Sequence, residues 1–155
     1  MSWDLEILID EPFQDQVQEE WLRQAVETTL AAEEIGSPAQ LSLLITDNET
    51  VHALNRTYRG FDKTTDVLAF AFQDDLESSS FPPPPDGVTH LGEVIISYPQ
   101  AASQAKEQGH PPKDEILLLV IHGVLHLLGY DHEQPEQEQK MRAVETKILA
   151  TLRAG

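Results

Sequence analysis

Three histidines near the C-terminal end, His122, His126 and His132, form the arrangement of side chains from which chemistry can most directly be argued. His122 and His126 are four apart, a spacing that on an α-helix puts both imidazoles on one face, about one turn from each other. They close an apolar run, Ile116-Leu117-Leu118-Leu119-Val120-Ile121, too short to span a membrane and suited to a buried helix. Gly129 offers that helix a stop, and the turn behind it can bring His132 back to the same point. Three imidazoles converging on one spot make a metal site with a coordination position open, the arrangement that in zinc enzymes holds a reactive water. A lone histidine on an apolar helix face is more often a core residue hydrogen-bonded to a neighbour. Three at offsets of four and ten, with a glycine at offset seven, are much harder to explain that way.

The same offsets occur in the metzincin protease motif H-E-x-x-H-x-x-G-x-x-H. One residue breaks the match: the protease places a glutamate after its first histidine as general base, and this chain has Gly123 there. The geometry of a metallohydrolase is kept while the peptidase base is absent. The spacing therefore predicts a metal-dependent hydrolase acting on something other than peptide bonds.

Around that site, 155 residues suit one domain, residues 1–155, and the 40% hydrophobic and 24% charged fractions are those of a soluble globular protein. The chain has no cysteine, so no disulfide can form and a zinc site must use nitrogen and oxygen donors. The first residues, Met1-Ser2-Trp3-Asp4-Leu5-Glu6, lack the basic and apolar regions of an export signal, and the cytoplasm is the expected location. A net charge of −17 argues against binding nucleic acid through the overall field, so a polyanion must be met by a local patch, a metal ion or a partner. Of the ten Lys and Arg residues, Arg56, Arg59 and Lys63 fall within eight positions. Such a trio is either that local patch or an ordinary solvated helix end.

The elements that must position these groups follow from periodicity. Trp3 to Ile9 alternates as a strand with a buried face. Phe13 to about Glu34 carries apolar residues at helical spacing, and Ala39 to Thr46 is a second strand. Asp47 is an N-cap for a helix through Val51, Leu54 and Tyr58 that Gly60 ends. Val67 to Phe72 is an apolar strand, Gln73 to Thr89 is a projecting loop with prolines at 82–85, and Leu91 to Tyr98 is a fourth strand. Helices are predicted from Pro99 to Gln108, from Lys113 to Leu128, and from Pro135 with Met141, Val144, Ile148 and Leu149 as the buried stripe. The fold class expected is α+β, a roughly four-stranded mixed sheet packed with about five helices, with a zincin-like metal-site helix.

The run His122-Gly-Val-Leu-His-Leu-Leu-Gly-Tyr-Asp-His132 resembles the signature of the YbeY family of bacterial ribosomal RNA maturation factors. Leu54-Asn55-Arg56-Thr57-Tyr58-Arg59-Gly60 followed by Thr65-Asp66-Val67-Leu68-Ala69-Phe70 is similar to its arginine-glycine and T-D-V-L-S-F segments, and Leu91-Gly92-Glu93-Val94-Ile95-Ile96-Ser97 to its L-G-D-I-x-I-S strand. Ala69, Glu93 and the Pro-rich loop at 78–86 depart from the family pattern, and none of them removes a ligand. The resemblance implies a single-strand-specific, zinc-dependent endoribonuclease that matures the 3′ end of 16S ribosomal RNA and serves ribosome quality control. It implies one Zn2+ ion held by His122, His126 and His132, with Arg59 in the catalytic machinery. The implied partners are ribosomal RNA and the small ribosomal subunit, not DNA and not a membrane. Family and charge together point to a ribosomal protein or an assembly GTPase for docking. Asp131 and Glu133, beside His132, are candidates to orient an imidazole, or are solvated acids in a turn; His52, His90 and His110 receive no role. Two other readings stay open: a non-catalytic ribosome-assembly module with a structural metal, and a metallopeptidase whose base comes from elsewhere.

Overall fold

The computed structural model describes residues 3–36, 38–71, 88–130 and 134–154. Strands β1 (Trp3–Ile9), β2 (Ala39–Thr46), β3 (Val67–Ala71) and β4 (Thr89–Ser97) form one mixed sheet in the order β1-β2-β4-β3. β1, β2 and β4 run parallel and β3 lies antiparallel to β4. Parallel neighbours need a crossover, which α1 (Glu19–Ala32) provides between β1 and β2. The other helices are α2 (Asn48–Arg59), α3 (Tyr98–Gln108), α4 (Pro112–Leu127) and α5 (Pro135–Ala154).

Local chemistry accounts for most of these ends. The Asp47 side chain accepts the Thr50 amide at 2.7 Å, satisfying one of the unpaired N–H groups at the start of α2. Gly60 ends the helix at φ 75°, a left-handed conformation that glycine adopts without steric cost. Pro99, Pro112 and Pro135 stand in the first turns of α3, α4 and α5, where a missing N–H costs nothing.

Several boundaries differ from the sequence expectations. The helix predicted from Phe13 starts at Glu19; before it comes a single 3-10 turn, Glu11–Phe13. Val17 is buried through tertiary packing, with its amide bonded to the Phe13 carbonyl at 3.0 Å, so its apolar character signals a covered turn and not a helix. β4 begins two residues before Leu91, and Tyr98 belongs to α3. Phe72, the Pro-rich loop at 78–86 and the segment 131–133 lie outside the described residues.

α4 is the centre of the packing. It touches α1, α3 and α5 as well as β3 and β4. Ile116, Val120, Ile121, Val124 and Leu125 are fully buried along it, and each such side chain contributes up to about 1.5–3 kcal/mol of burial. One sheet face, with Leu5, Leu41, Leu43, Val94 and Ile96, packs with α1 and α4 into the main core. On the other face, Val51 and Leu54 of α2 cover Leu68, Ile95 and Phe70. The helix carrying the two described histidines is thus held on several sides, while α2 brings Arg59 to the end of its own layer.

Candidate active site

His122 and His126 project from α4 one turn apart, with ring centroids 4.8 Å from each other and the planes at 70°. Both are partly exposed, whereas Val120, Ile121, Gly123, Val124 and Leu125 around them are buried. Gly123 allows this placement. A Cβ at that position would stand 2.6 Å from Val94 Cγ1, so the helix backbone rests directly on β4. A glutamate cannot occupy that place without displacing the strand or the helix, which removes the metzincin base on steric as well as sequence grounds.

Glu145 of α5 meets His122, Oε1 to Nδ1, at 3.0 Å, and the glutamate is 9% exposed. A carboxylate accepts, so Nδ1 carries the hydrogen and the neutral ring has its lone pair on Nε2. That is how an imidazole is oriented to ligate a metal through its far nitrogen. Beyond α4, Gly129 turns the chain at φ 101° and the Tyr130 amide bonds to the Leu125 carbonyl at 3.0 Å. The carboxylate of Glu33, just past the end of α1, lies close enough that hydrogen bonding to it, with burial and its negative charge, pushes the Tyr130 phenol up to about 12. The backbone bond from Tyr130 to Leu125 ties the turn after α4 back to the helix.

The facing wall comes from the end of α2 and the start of β3. Arg59, Thr65, Asp66, Val67 and Ala69 line a cleft of about 350 Å3 together with His122, Gly123 and His126. Asp66 is held from three directions: its Oδ1 accepts from the Val67 amide at 2.8 Å and from Thr65 Oγ1 at 3.3 Å, and its Oδ2 from Gln104 Nε2 at 3.2 Å. The same Gln104 amide donates to Glu115 Oε2 at 2.8 Å, and His110 Nε2 contacts Glu115 Oε1 at 2.8 Å. Glu115 is 2% exposed, so this chain of polar groups keeps a buried acid hydrogen-bonded while fixing a carboxylate in the cleft.

Arg59, His122 and His126 share this cleft, while His132, Asp131 and Glu133 lie outside the described residues. Among the described residues, no group of three His, Asp or Glu side chains is gathered as a metal would require. The donors that are described fit a zinc ion: two imidazoles on successive turns, one of them with an acidic partner on its far nitrogen. His52 contacts Asp62 at 2.7 Å, His90 contacts Gln40 at 3.2 Å, and His110 belongs to the Glu115 chain. Sequence reasoning missed Asp66 as a cleft residue, and Glu145 and Glu115 altogether. For Glu145 there was a signal: it sits four residues after Met141 and three before Ile148, an acid inside the apolar stripe of α5.

Comparison with known proteins agrees with this architecture. The sequence is 47% identical over 154 residues to the Endoribonuclease YbeY of Roseiflexus castenholzii, covering 96% of this chain and 95% of that one. It is 41% identical to that of Chloroflexus aurantiacus, covering 98% and 97%, and 41% identical to that of Dehalococcoides mccartyi, covering 90% and 87%. The solution structure of TM1509 from Thermotoga maritima superposes with a TM-score of 0.57 at 26% identity, over 97% of this chain and 92% of that one. The family described as Endoribonuclease YbeY matches residues 8–153, nearly the whole chain, and the chain belongs to that family.

Proposed function

We propose that this protein is a zinc-dependent endoribonuclease that cuts single-stranded RNA and serves in 16S ribosomal RNA 3′-end maturation and ribosome quality control. The observation that carries the reading is the shared cleft, which Arg59 lines together with His122 and His126. His122, His126 and His132 would hold the zinc, and Glu145 keeps Nδ1 of His122 protonated so that Nε2 is the ligating atom. Bound there, zinc would supply a Lewis acid for phosphoryl oxygens and a source of hydroxide near neutral pH. Arg59 offers a planar guanidinium whose parallel N–H groups match two non-bridging phosphate oxygens. It fixes the scissile group and offsets the charge that develops there. Asp66, with its oxygens already held by Val67, Thr65 and Gln104, is a rigid acceptor for a sugar hydroxyl of the RNA. A net charge of −17 supports docking to the small subunit through a ribosomal protein or an assembly GTPase, not through RNA alone.

The test is metal removal. Protein stripped with a chelator is assayed on a single-stranded RNA spanning the precursor 3′ end and on the same sequence in a duplex, before and after one equivalent of zinc is restored. Loss of cutting on stripping and its return with zinc, on the single strand only, is expected. A 5′-phosphate at the product end marks attack by hydroxide, and a cyclic phosphate marks attack by the RNA's own 2′-hydroxyl. Cutting that is indifferent to chelation overturns the proposal.

A further inference from the structure

Among the described residues, three large hydrophobic side chains are exposed: Leu8, Tyr58 and Phe61. Phe61 is 48% exposed and follows directly on the Gly60 cap beside Arg59. The Arg59 guanidinium carbon lies over its ring, 5.2 Å from the centroid, and Lys63 Nζ lies over it at 5.7 Å. The turn that presents this ring is built firmly. Asn55, 1% exposed, donates through Nδ2 to the Lys63 carbonyl at 2.9 Å. The Phe61 amide bonds to the Asn55 carbonyl at 3.3 Å, and the Lys63 amide to the Phe61 carbonyl at 2.9 Å. The acid of the turn, Asp62, is taken by His52 Nε2 at 2.7 Å. What the turn presents is a half-exposed ring with Arg59 and Lys63 stacked on it as cation–π partners, and with Arg56 one helical turn before Arg59, in a chain whose net charge is −17. Arg59 also lines the cleft, so this surface is the cleft's own approach.

An aromatic ring beside cations at the mouth of a phosphate-handling cleft has the composition of a single-strand platform, where bases stack on the ring and cations take the flanking phosphates. We infer that Phe61, with Arg59 and Lys63, stacks an unpaired base of the RNA substrate next to the phosphate received in the cleft. The inference rests on the nuclease reading and deepens it, since a base in a duplex is already stacked on its neighbours and cannot offer its face. Preference for single strands would then be set at this ring.

The probe is a fluorescent ten-nucleotide single-stranded RNA and the same sequence closed into a hairpin stem, bound to the 155-residue protein in the presence of chelator so that binding is read without cutting. Phe61→Leu keeps an apolar side chain and removes the π face; it should weaken single-strand binding about 5- to 100-fold and leave stem binding unchanged. Phe61→Trp should retain single-strand binding. Lys63→Ala should lower the log–log salt slope by about 0.7, one phosphate contact. Thermal unfolding of each variant checks that the fold is intact. If wild type and Phe61→Leu bind the single strand equally while wild type still cuts RNA, the stacking inference is wrong and the nuclease reading stands. If wild type neither binds nor cuts single-stranded RNA, both fall.

Discussion

Gly123→Ala probes how closely α4 is seated on the sheet. The added methyl would lie 2.6 Å from Val94 Cγ1 and 3.1 Å from Cγ2, against the 3.5–4.0 Å of an ordinary carbon contact. Val94 is β-branched and fully buried in the middle of β4, so it has little rotamer freedom with which to yield. Overpacking of this kind costs roughly 1–3 kcal/mol, and alanine regains about 1 kcal/mol of helix propensity over glycine. The net expectation is a loss of about 0–2 kcal/mol, or a fall in Tm of up to several degrees at about 2–4 °C per kcal/mol for a chain of this size. The decisive form is a double-mutant cycle. Val94→Ala removes the two methyls that collide, so Gly123→Ala should be tolerated, or stabilising, in that background, with a coupling of about 1 kcal/mol or more. Both steps are read by thermal and denaturant unfolding. Should Gly123→Ala stabilise wild type by the full helix-propensity gain, or the two substitutions simply add, the direct seating of α4 on β4 is refuted, and with it the steric exclusion of a glutamate base.

Other consequences are smaller in scope. Asp47→Ala should cost about 1 kcal/mol by leaving the start of α2 uncapped, measured by denaturant unfolding near pH 7. The Thr50 amide holds the Asp47 carboxyl below its usual range, so the cap's contribution is present above about pH 3.9 and is lost as pH falls through the lower folded value. Wild type and variant should therefore converge in strongly acidic solution; a gap that widens on acidification would contradict the sign. Glu145→Ala should weaken zinc binding about 10- to 100-fold in a competition titration with a chelator, and Glu145→Gln, which keeps an acceptor oxygen, should lose less. Equal affinities in the three proteins would show that Glu145 serves packing alone.

What could be read from the sequence was what is local. The alternation of β1, the Asp47 and Gly60 caps of α2, and the apolar run of α4 each depend on neighbours within a few residues, and the structure has them where periodicity and cap chemistry predict. Strand order could not be read, because β1-β2-β4-β3 is decided by pairing across tens of residues. The start of α1 failed for a related reason: Val17 is apolar because the core covers its turn, and helical spacing alone could not tell the difference. At the site, the four-residue interval of His122 and His126 was legible since one helix sets it. Glu145 and Gln104 act from other helices, and their partners become neighbours only once α5 and α3 have packed on α4.

The most direct measurement is cutting of a single-stranded RNA from the small-subunit precursor 3′ end by wild type and by His126→Ala, both untagged, zinc-supplied and shown to be folded by thermal unfolding. Cutting by wild type and its loss in His126→Ala is the expected result, since the imidazole lost lines the same cleft as Arg59. Equal cutting by the two proteins would contradict the assignment of the chemistry to this cleft.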